Sequence, residues 1–348
     1  MSRHQKPPQI QHTIAIYQVV QMLQAIEGES DRAVVLRRAG ISPALLESAL
    51  ARVSQIQFAR LMTALVRHHR DEFWGLGSSP LPLGTFAMGC RMLVGHRKLG
   101  EALRAGLRYY HALLPDFVPR LQIRDGMAYV RMSSRHALND RQTYAVRVFM
   151  FLSYGVMCWL AARRIPVDEV VYQDRDVLRR SDASRLFQAP TRLSDGEWGY
   201  RFAVKWLDLP VEQNAESVET FLRGAPGCLL VKYRDQASFT ERIRRMLRRY
   251  LADEMPSFEA VSDMLATTPQ TLRRRLQREG QGYQMIKDAL RRDVAVDYLT
   301  QSDMSLIEVA ARVGYSEAST FHRAFKVWTG LSPGAYRQAH NEPTSVPR

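Results

Sequence analysis

The sequence predicts an α+β fold that is mostly helical. An N-terminal α+β domain is followed by an all-α domain with two helix-turn-helix units joined by a linker helix. Three observations lead to this prediction. The chain has 348 residues, more than one ordinary core accommodates. Strand-like segments occur only before about residue 204, and helical spacing continues beyond about residue 237. Finally, two segments of the C-terminal part repeat each other at an offset of 48 to 49 residues.

The N-terminal part alternates between helical and strand-like patterns. Apolar residues recur at helical spacing over residues 13–73 and 85–114, on either side of a Gly/Pro-rich break at 75–84. Asp125-Gly126 separates two alternating segments, 117–123 and 127–132, and this pattern predicts a β-hairpin. The remaining predicted elements are a long helix at 141–164, strands at 167–172 and 200–204, and a short helix near 184–187.

These patterns divide the chain into five predicted segments. The polar residues 1–12 are predicted to be a disordered arm, and residues 13–232 form the N-terminal domain. A linker at 233–238 follows a Pro/Gly-punctuated region, residues 239–338 form the helical domain, and 339–348 are a tail. Within the helical domain, the two helix-turn-helix units are predicted at about 258–278 and 305–328, with a helix at about 283–301 between them.

Composition and missing motifs narrow the class of protein. The net charge is +14, but residues 238–348 contribute only +4 of it, with 17 Lys+Arg and 13 Asp+Glu. The three cysteines are isolated, residues 1–12 lack the apolar core of a secretory signal, and the apolar stretch 148–162 is shorter than the roughly 20 residues of a membrane span. We therefore expect a cytoplasmic protein with no membrane association.

The sequence has no HExxH, GxSxG, Walker-type or dinucleotide-binding pattern. We therefore predict that the protein is not an enzyme and that it has no catalytic residues, no metal-binding residues and no cofactor.

The two C-terminal repeats share one physical pattern. Each predicted first helix ends at a small residue, Ala266 or Gly314, where the chain turns sharply. A hydroxyl residue, Thr268 or Ser316, is then predicted to cap the second helix, and Pro269 suits the first helical position. Apolar pairs four residues apart anchor each second helix to the core, namely Leu272/Leu276 and Phe321/Phe325. The opposite faces are polar, which is typical of an exposed recognition helix.

The most specific motifs lie in the second repeat. They are Ser305-Leu-Ile-Glu-Val-Ala310, Val313-Gly-Tyr-Ser316, Phe321-His-Arg-Ala-Phe325-Lys, Gly330-Leu-Ser-Pro333 and Tyr336-Arg337, joined in the first repeat by Thr271-Leu-Arg-Arg-Arg-Leu276 and Glu279-Gly280. With these residues the sequence resembles the AraC/XylS family of bacterial transcription regulators over about 239–338. The first repeat departs from the family pattern at Ser262, where Ala is usual, and at Ala266, where Gly is usual.

The N-terminal part resembles the ligand-binding domain of the branch that includes the ornithine-utilisation regulator. The matching residues are Leu83-Gly84, Leu99-Gly-Glu-Ala-Leu-Arg104, Tyr109-Tyr110, Val170-Val-Tyr172, Phe187 and Phe221-Leu-Arg-Gly-Ala-Pro226. The resemblance implies a domain that binds a small-molecule effector and dimerises, but it does not imply arabinose as the effector.

The resemblance also implies which residues contact double-stranded DNA. Base contacts fall on the outward positions of both recognition helices, namely Gln270, Arg273, Arg274, Ser319, Thr320 and Arg323. Arg pairs with guanine and Gln with adenine in a bidentate manner. Arg275 and Arg278 are the phosphate candidates. For any one of these arginines, a phosphate contact or a solvated side chain is the alternative interpretation.

The implied function is sequence-specific regulation of transcription, with two adjacent major grooves read by one chain. An effector-responsive activator that contacts RNA polymerase is the family's more usual role. The alternatives are a repressor, or a regulator with the same DNA-binding role and no small-molecule ligand. A further candidate, the DNA alkylation-repair regulators with a Cys-ligated zinc module, requires clustered thiolates, which isolated Cys90, Cys158 and Cys228 do not provide.

Overall fold

The computed structural model describes residues 13–134, 136–173, 187, 189–194, 196–224, 239–279 and 281–341. The predicted arm at 1–12, the linker at 233–238 and most of the predicted tail lie outside the described residues, as does most of the predicted helix near 184–187. The described residues divide into two compact units. The first comprises 13–16, 36–58 and 239–341, and the second comprises 17–35 and 59–224.

The N-terminal elements are mostly helical, as predicted. In chain order they are β1 (Ile14–Ala15), α1 (Ile16–Leu23), α2 (Glu29–Ala39), a 3-10 turn (Pro43–Glu47), β2 (Arg52–Val53), α3 (Gln55–His69), α4 (Thr85–Leu93) and α5 (Leu99–Leu113). The single helix predicted over 85–114 is therefore two helices. Val94 ends α4, Gly95 follows it, and the backbone N–H of Lys98 donates to the Glu101 carboxylate as α5 begins.

The second unit is built around a five-stranded sheet. Its elements are β3 (Phe117–Arg124), β4 (Met127–Ser134), α6 (Asp140–Leu160), β5 (Glu169–Tyr172), β6 (Thr191–Leu193), β7 (Trp198–Ala203), a 3-10 turn (Val204–Asp208) and α7 (Ala215–Gly224). The strand order is β3-β4-β7-β5-β6, in which only β5 and β6 pair in parallel. The predicted hairpin is confirmed, because Asp125 and Gly126 both have positive φ, 51° and 72°, as a two-residue hairpin turn requires.

Helix α6 is the central helix of the second unit. Of its 21 residues, 12 are buried, and Asn139 caps its first turn through the backbone N–H of Gln142. Among the described residues, α6 is the one helix long and apolar enough to cross a membrane. Its burial is that of a core helix, with the Phe149 ring 5.4 Å from the Phe117 ring of β3.

The first unit contains the helical C-terminal part of the chain. Its helices are α8 (Phe239–Leu247), a 3-10 turn (Arg248–Tyr250), α9 (Phe258–Met264), α10 (Pro269–Arg278), α11 (Tyr283–Gln301), α12 (Leu306–Arg312), α13 (Ala318–Thr329) and α14 (Pro333–Asn341). The predicted linker helix is confirmed at its predicted bounds. Both predicted helix-turn-helix units are present as α9–α10 and α12–α13.

Two N-terminal segments, residues 13–16 and 36–58, pack in the first unit, although the predicted boundary placed them with the N-terminal domain. The Thr13 hydroxyl donates to the Asp293 carboxylate of α11 at 2.5 Å, and the Arg52 guanidinium donates to the Thr13 hydroxyl at 2.6 Å. The Tyr336 hydroxyl of α14 donates to the backbone carbonyl of Arg52. Buried polar groups need partners, and here those partners come from opposite ends of the chain, which sequence periodicity does not reveal.

Candidate nucleic-acid interface

The first helix-turn-helix unit consists of α9, a sharp turn and α10. Leu272 and Leu276 of α10 are buried, as is Val261 of α9, so the two helices pack through one apolar face. The chain turns at Ala266, whose φ is 50°. A residue with a Cβ is strained in this left-handed conformation, so the departure from Gly at this position carries a conformational cost.

The second unit repeats this construction on α12 and α13. Phe321 and Phe325 are buried, with their rings 5.6 Å apart, and Gly314 occupies the turn with a φ of 80°. The backbone hydrogen bonds of the two turns also correspond. Thr267 N–H donates to the Ser262 carbonyl and Tyr315 N–H to the Ala310 carbonyl, both at 3.0 Å. The sequence repeat is therefore a repeat of local structure down to individual backbone bonds.

The two recognition helices begin differently, and this corrects one prediction. Thr268 caps α10 as predicted, since its hydroxyl accepts from the backbone N–H of Thr271 at 3.2 Å. Ser316 does not cap α13. The cap position belongs to Glu317, one residue later, whose side chain makes no hydrogen bond to the backbone of α13. The one-residue difference in offset between the repeats allows this shift.

The residues predicted to contact DNA lie on exposed faces of both recognition helices. The exposed ones are Gln270, Arg273, Arg274 and Arg275 on α10, and Ser319, Thr320 and Arg323 on α13. Arg278 is the last residue of α10, and its side chain lies outside the described part of the structure. Each helix therefore presents a polar surface opposite its buried anchors.

Aromatic rings hold two of the α10 arginines. The Arg275 guanidinium lies 4.4 Å from the centroid of the Phe239 ring, and that of Arg273 lies 5.5 Å from the Phe258 ring. Cation–π contacts of this kind restrict the arginine side chain while leaving its N–H groups able to donate. Among the described residues, neither Arg274 nor Arg323 forms an ion pair or an aromatic contact, so these two guanidinium groups are the least constrained.

Glu317 is the residue near this surface that sequence reasoning missed. Its carboxylate accepts from the Ser319 hydroxyl at 3.3 Å and from the Thr320 hydroxyl at 3.5 Å. Both predicted base-contacting hydroxyls therefore have an acidic neighbour. A sequence signal exists, because an acidic residue directly precedes α13, where negative charge favours the helix N-terminus.

Helix α11 connects the two units through aromatic and polar contacts. At its start, the Tyr283 hydroxyl donates to the Pro256 carbonyl at 2.5 Å, and burial raises the pKa of Tyr283 to about 12. Farther along, the Arg291 guanidinium lies 5.1 Å from the Tyr315 ring beside the second turn. The linker helix therefore contacts the segment before α9 and the turn before α13, which limits independent rotation of either recognition helix.

The second unit contains a separate feature, a partly open cavity of about 380 Å³. Its lining residues come from α3, α4, α5, α6, α7 and the segment 72–81, and most of them are apolar. Pockets of this size and composition are typical of small-molecule sites.

The chain has an α+β domain with a cavity, followed in sequence by two helix-turn-helix units. This combination is typical of a DNA-binding transcription regulator in which one chain carries both parts. The comparison with known families agrees. Residues 30–211 match the family described as the arabinose-binding N-terminal domain of the AraC transcription regulator, and residues 261–339 match a helix-turn-helix domain family. The first match covers more than half of the chain. The chain therefore belongs to the AraC family of transcription regulators.

Individual relatives are regulators as well. The chain is 24% identical over 302 residues to the ornithine utilization regulator of Pseudomonas aeruginosa, covering 86% of this chain and 89% of that protein. It is 38% identical over 101 residues to the transcriptional regulator VirS of Mycobacterium tuberculosis, covering 29% of this chain and 30% of VirS. It is 33% identical over 89 residues to the urease operon transcriptional activator of Escherichia coli, covering 25% and 30%.

Solved structures with similarity to the chain include the transcriptional regulator CdpR of Pseudomonas aeruginosa. The identity is 20%, the match covers 80% of this chain and 96% of CdpR, and the TM-score is 0.28. The C-terminal domain of the response regulator AraT of Geobacillus stearothermophilus matches at 28% identity with a TM-score of 0.27, covering 28% of this chain and 83% of that one.

Proposed function

We propose that this regulator is a cytoplasmic, effector-responsive activator whose two recognition helices read adjacent major grooves of one operator. The observation that carries the proposal is the pair of exposed recognition faces on α10 and α13, separated by the 19-residue helix α11. A helix of that length spans roughly 28 Å at 1.5 Å per residue. One turn of DNA is roughly 34 Å, so the linker has the dimension needed to serve two successive grooves.

Arg274 and Arg323 are the principal base-reading residues in this proposal. Both are exposed, and no described residue engages either guanidinium, so bidentate pairing with a guanine breaks no existing ion pair. Arg275 and Arg278 are assigned to phosphates. The Phe239 ring orients the Arg275 guanidinium, and a phosphate accepts from its remaining N–H groups. Gln270, Arg273, Ser319 and Thr320 complete the proposed interface.

The cavity of about 380 Å³ favours an effector over the alternative of a regulator without a ligand, because a densely packed core would have left no such space. An effector that binds one conformation better than another shifts the population between them, and this is the proposed basis of regulation. Activation involves contact with RNA polymerase and, in this proposal, a homodimer.

The proposal is tested by genome-wide DNA binding of the full chain beside an Arg274→Ala/Arg323→Ala double variant. Arg38→Ala is the matched control, because Arg38 is an exposed arginine of α2 outside both recognition helices. A few sharp sites that are retained by the control and lost in the double variant are the expected result. Footprints at those sites should show two protected major-groove segments one helical turn apart.

Each lost bidentate contact is expected to reduce specific affinity by about 1–3 kcal/mol. Diffuse, salt-sensitive binding that is the same in all three proteins would contradict sequence-specific reading by these helices. Reporter expression that falls when the gene is deleted, and that requires the intact operator, distinguishes activation from repression.

A further inference from the structure

The walls of the cavity in the second unit are apolar almost throughout. Helices α4, α5 and α6 provide most of them, and typical lining residues are Phe86, Leu107, Phe149 and Met157. The lining set contains no lysine, arginine or histidine among the described residues. No described lining residue therefore supplies a positive charge to an anionic ligand.

Among the described lining residues, the one carboxylate is that of Glu72, and each of its oxygens already accepts a hydrogen bond. One of its oxygens accepts from the backbone N–H of Gly84 at 2.7 Å, and the other accepts from that of Phe86 at 2.6 Å. These bonds hold the carboxylate at the start of α4, where the helix dipole also stabilises it. A cationic ligand that recruited Glu72 would share the carboxylate with both bonds, which already offset part of its charge.

Two hydroxyl groups of the wall are likewise used within the protein. The Thr63 hydroxyl donates to the Ala59 carbonyl at 3.0 Å, and the Ser153 hydroxyl donates to the Met150 carbonyl at 2.9 Å. Both are bonds to the preceding turn of the same helix. Each hydroxyl proton is therefore already used within the protein.

Tyr110 differs from these residues. Its hydroxyl lies beside Gly89, another lining residue, and no described residue forms a hydrogen bond with it. Burial raises the pKa of Tyr110 far above its ordinary value, with Cys90 as the next contribution, so the hydroxyl stays protonated and neutral. The Phe149 ring packs edge-on against the Tyr110 ring at 5.3 Å and fixes its position.

We propose that this cavity binds an uncharged, largely apolar small molecule with one hydroxyl or carbonyl group, which hydrogen-bonds to the Tyr110 hydroxyl. A carboxylate group in this cavity would lose its hydration without gaining a counter-charge from any described residue. An ammonium group would find only the Glu72 carboxylate, whose charge already stabilises two backbone N–H donors. Both losses of hydration are costly in an apolar interior. The ligand class rests on the proposed effector-responsive function, because it specifies what that effector is.

The volume limits the size of the ligand. At the packing density of protein interiors, about 0.75, a cavity of about 380 Å³ accommodates a ligand on the order of 15 non-hydrogen atoms. Alicyclic and aromatic alcohols and ketones, or alkyl alcohols of medium length, satisfy both the size and the polarity. L-Ornithine, with two ammonium groups and a carboxylate at neutral pH, does not.

The test is equilibrium binding of defined probes to the full chain by titration calorimetry. The uncharged probes are 1-decanol and 2-naphthol, and the charged comparators are decanoate, decylammonium and L-ornithine. At least one uncharged probe is expected to bind at least tenfold more tightly than every charged comparator. Binding of a charged comparator with equal or greater affinity, or no binding of either uncharged probe to the folded protein, would overturn the proposal.

Two variants place the binding in the cavity. Val156→Phe adds bulk to a lining residue of α6 and should weaken binding at least tenfold. Tyr110→Phe removes only the hydroxyl and should weaken binding of the better probe about fivefold, as expected for one neutral hydrogen bond. Tyr109→Phe is the matched control, because the Tyr109 hydroxyl donates to the Thr85 carbonyl and Tyr109 is outside the lining set. Equal effects of the two tyrosine variants would refute the assignment to Tyr110.

The same protein preparations are assayed for operator binding without probe, which separates this proposal from the proposed function. Retained operator binding with no binding of the uncharged probes refutes the ligand class alone. Lost operator specificity with normal probe binding refutes the DNA-reading function and leaves the ligand class supported.

Discussion

The replacement Asp293→Ala tests whether the N-terminal segments are structurally part of the DNA-binding unit. Asp293 of α11 is 2% exposed, and one of its oxygens pairs with the Arg244 guanidinium of α8 at 2.6 Å. Its other oxygen accepts from the Thr13 hydroxyl at 2.5 Å. Arg292 reaches the same carboxylate at 3.2 Å. A single side chain therefore joins α8, α11 and the segment that begins the described chain.

The expected cost follows from what the variant leaves behind. Arg244 is 3% exposed, so without Asp293 its positive charge stays buried without its ion-pair partner. Removing one member of a buried ion pair typically costs about 3–5 kcal/mol. Alanine itself is a good helix former, so α11 gains slightly in helix propensity and this gain does not account for the loss.

Hydrogen exchange of the full chain measures this effect locally, which avoids assuming two-state unfolding of a protein with two units. Backbone amides of α8 and α11 should exchange roughly 10²- to 10⁴-fold faster in the variant, and so should those of residues 50–54. Asp288→Ala is the control. Asp288 lies on the same helix, and the one hydrogen bond that it makes with a described residue is from the exposed Gln284 amide, so its removal should change exchange little.

If Asp293→Ala accelerated exchange in α8 and α11 but left residues 50–54 unaffected, the N-terminal segments would not be stabilised by the DNA-binding unit. That result would contradict the structural division and restore the boundary at 233–238. Unchanged exchange everywhere would contradict the ion-pair argument itself.

Three further predictions concern the two turns, the two caps and one buried carboxyl group. Ala266→Gly should stabilise the protein by up to about 1 kcal/mol, because glycine adopts the positive φ of this turn without strain. Gly314→Ala should destabilise it by more than about 2 kcal/mol, because the added Cβ would be strained at positive φ and would also meet a backbone carbonyl. Urea unfolding should show stability changes of opposite sign for the two variants. Thr268→Ala should reduce stability by about 1 kcal/mol and Ser316→Ala by much less, because Thr268 caps α10 and Ser316 does not cap α13. Equal losses of stability in the two variants would contradict the cap assignment. Burial raises the pKa of Asp297 from 3.8 to about 6, so ionisation of this carboxyl group lowers the stability of the folded protein as pH rises from about 4 to 6. Asp297→Asn removes this ionisation. The variant should therefore be more stable than the parent chain by about 1–3 kcal/mol at pH 7, and by little near pH 4. A pH-independent difference between Asp297→Asn and the parent chain would show that this carboxyl group is not the cause.

The structure differs from the sequence predictions where a local choice depended on neighbouring residues. Sequence placed the cap of α13 at Ser316, but the extra residue in the second repeat moved it to Glu317. Helical periodicity continued across residues 94–98, but the chain breaks there at Gly95. Strand β6 was not predicted, because three residues are too few to show alternation and its pairing with β5 is parallel.

The sequence by itself determined the elements whose stability is local. Small turn residues, hydroxyl caps and apolar pairs four residues apart specify each helix-turn-helix unit, and the repeat showed that the pattern was not accidental. Tyr283–Gln301 was predicted at its observed bounds for the same reason, as was the Asp125-Gly126 hairpin. All of these depend on interactions within a few residues along the chain.

Only the tertiary structure decided which distant residues meet. Thr13 bonds to Asp293, 280 positions away, and accepts from Arg52, and no sequence periodicity indicates these contacts. The cavity is likewise a space left between several helices, so its apolar lining residues look like ordinary core residues in the sequence. Local conformational preferences depend on residues that are near in sequence, whereas cavities and buried ion pairs depend on how whole elements pack. The ion pair of Asp293 and the place of Tyr110 in the cavity wall are therefore visible only in the tertiary structure.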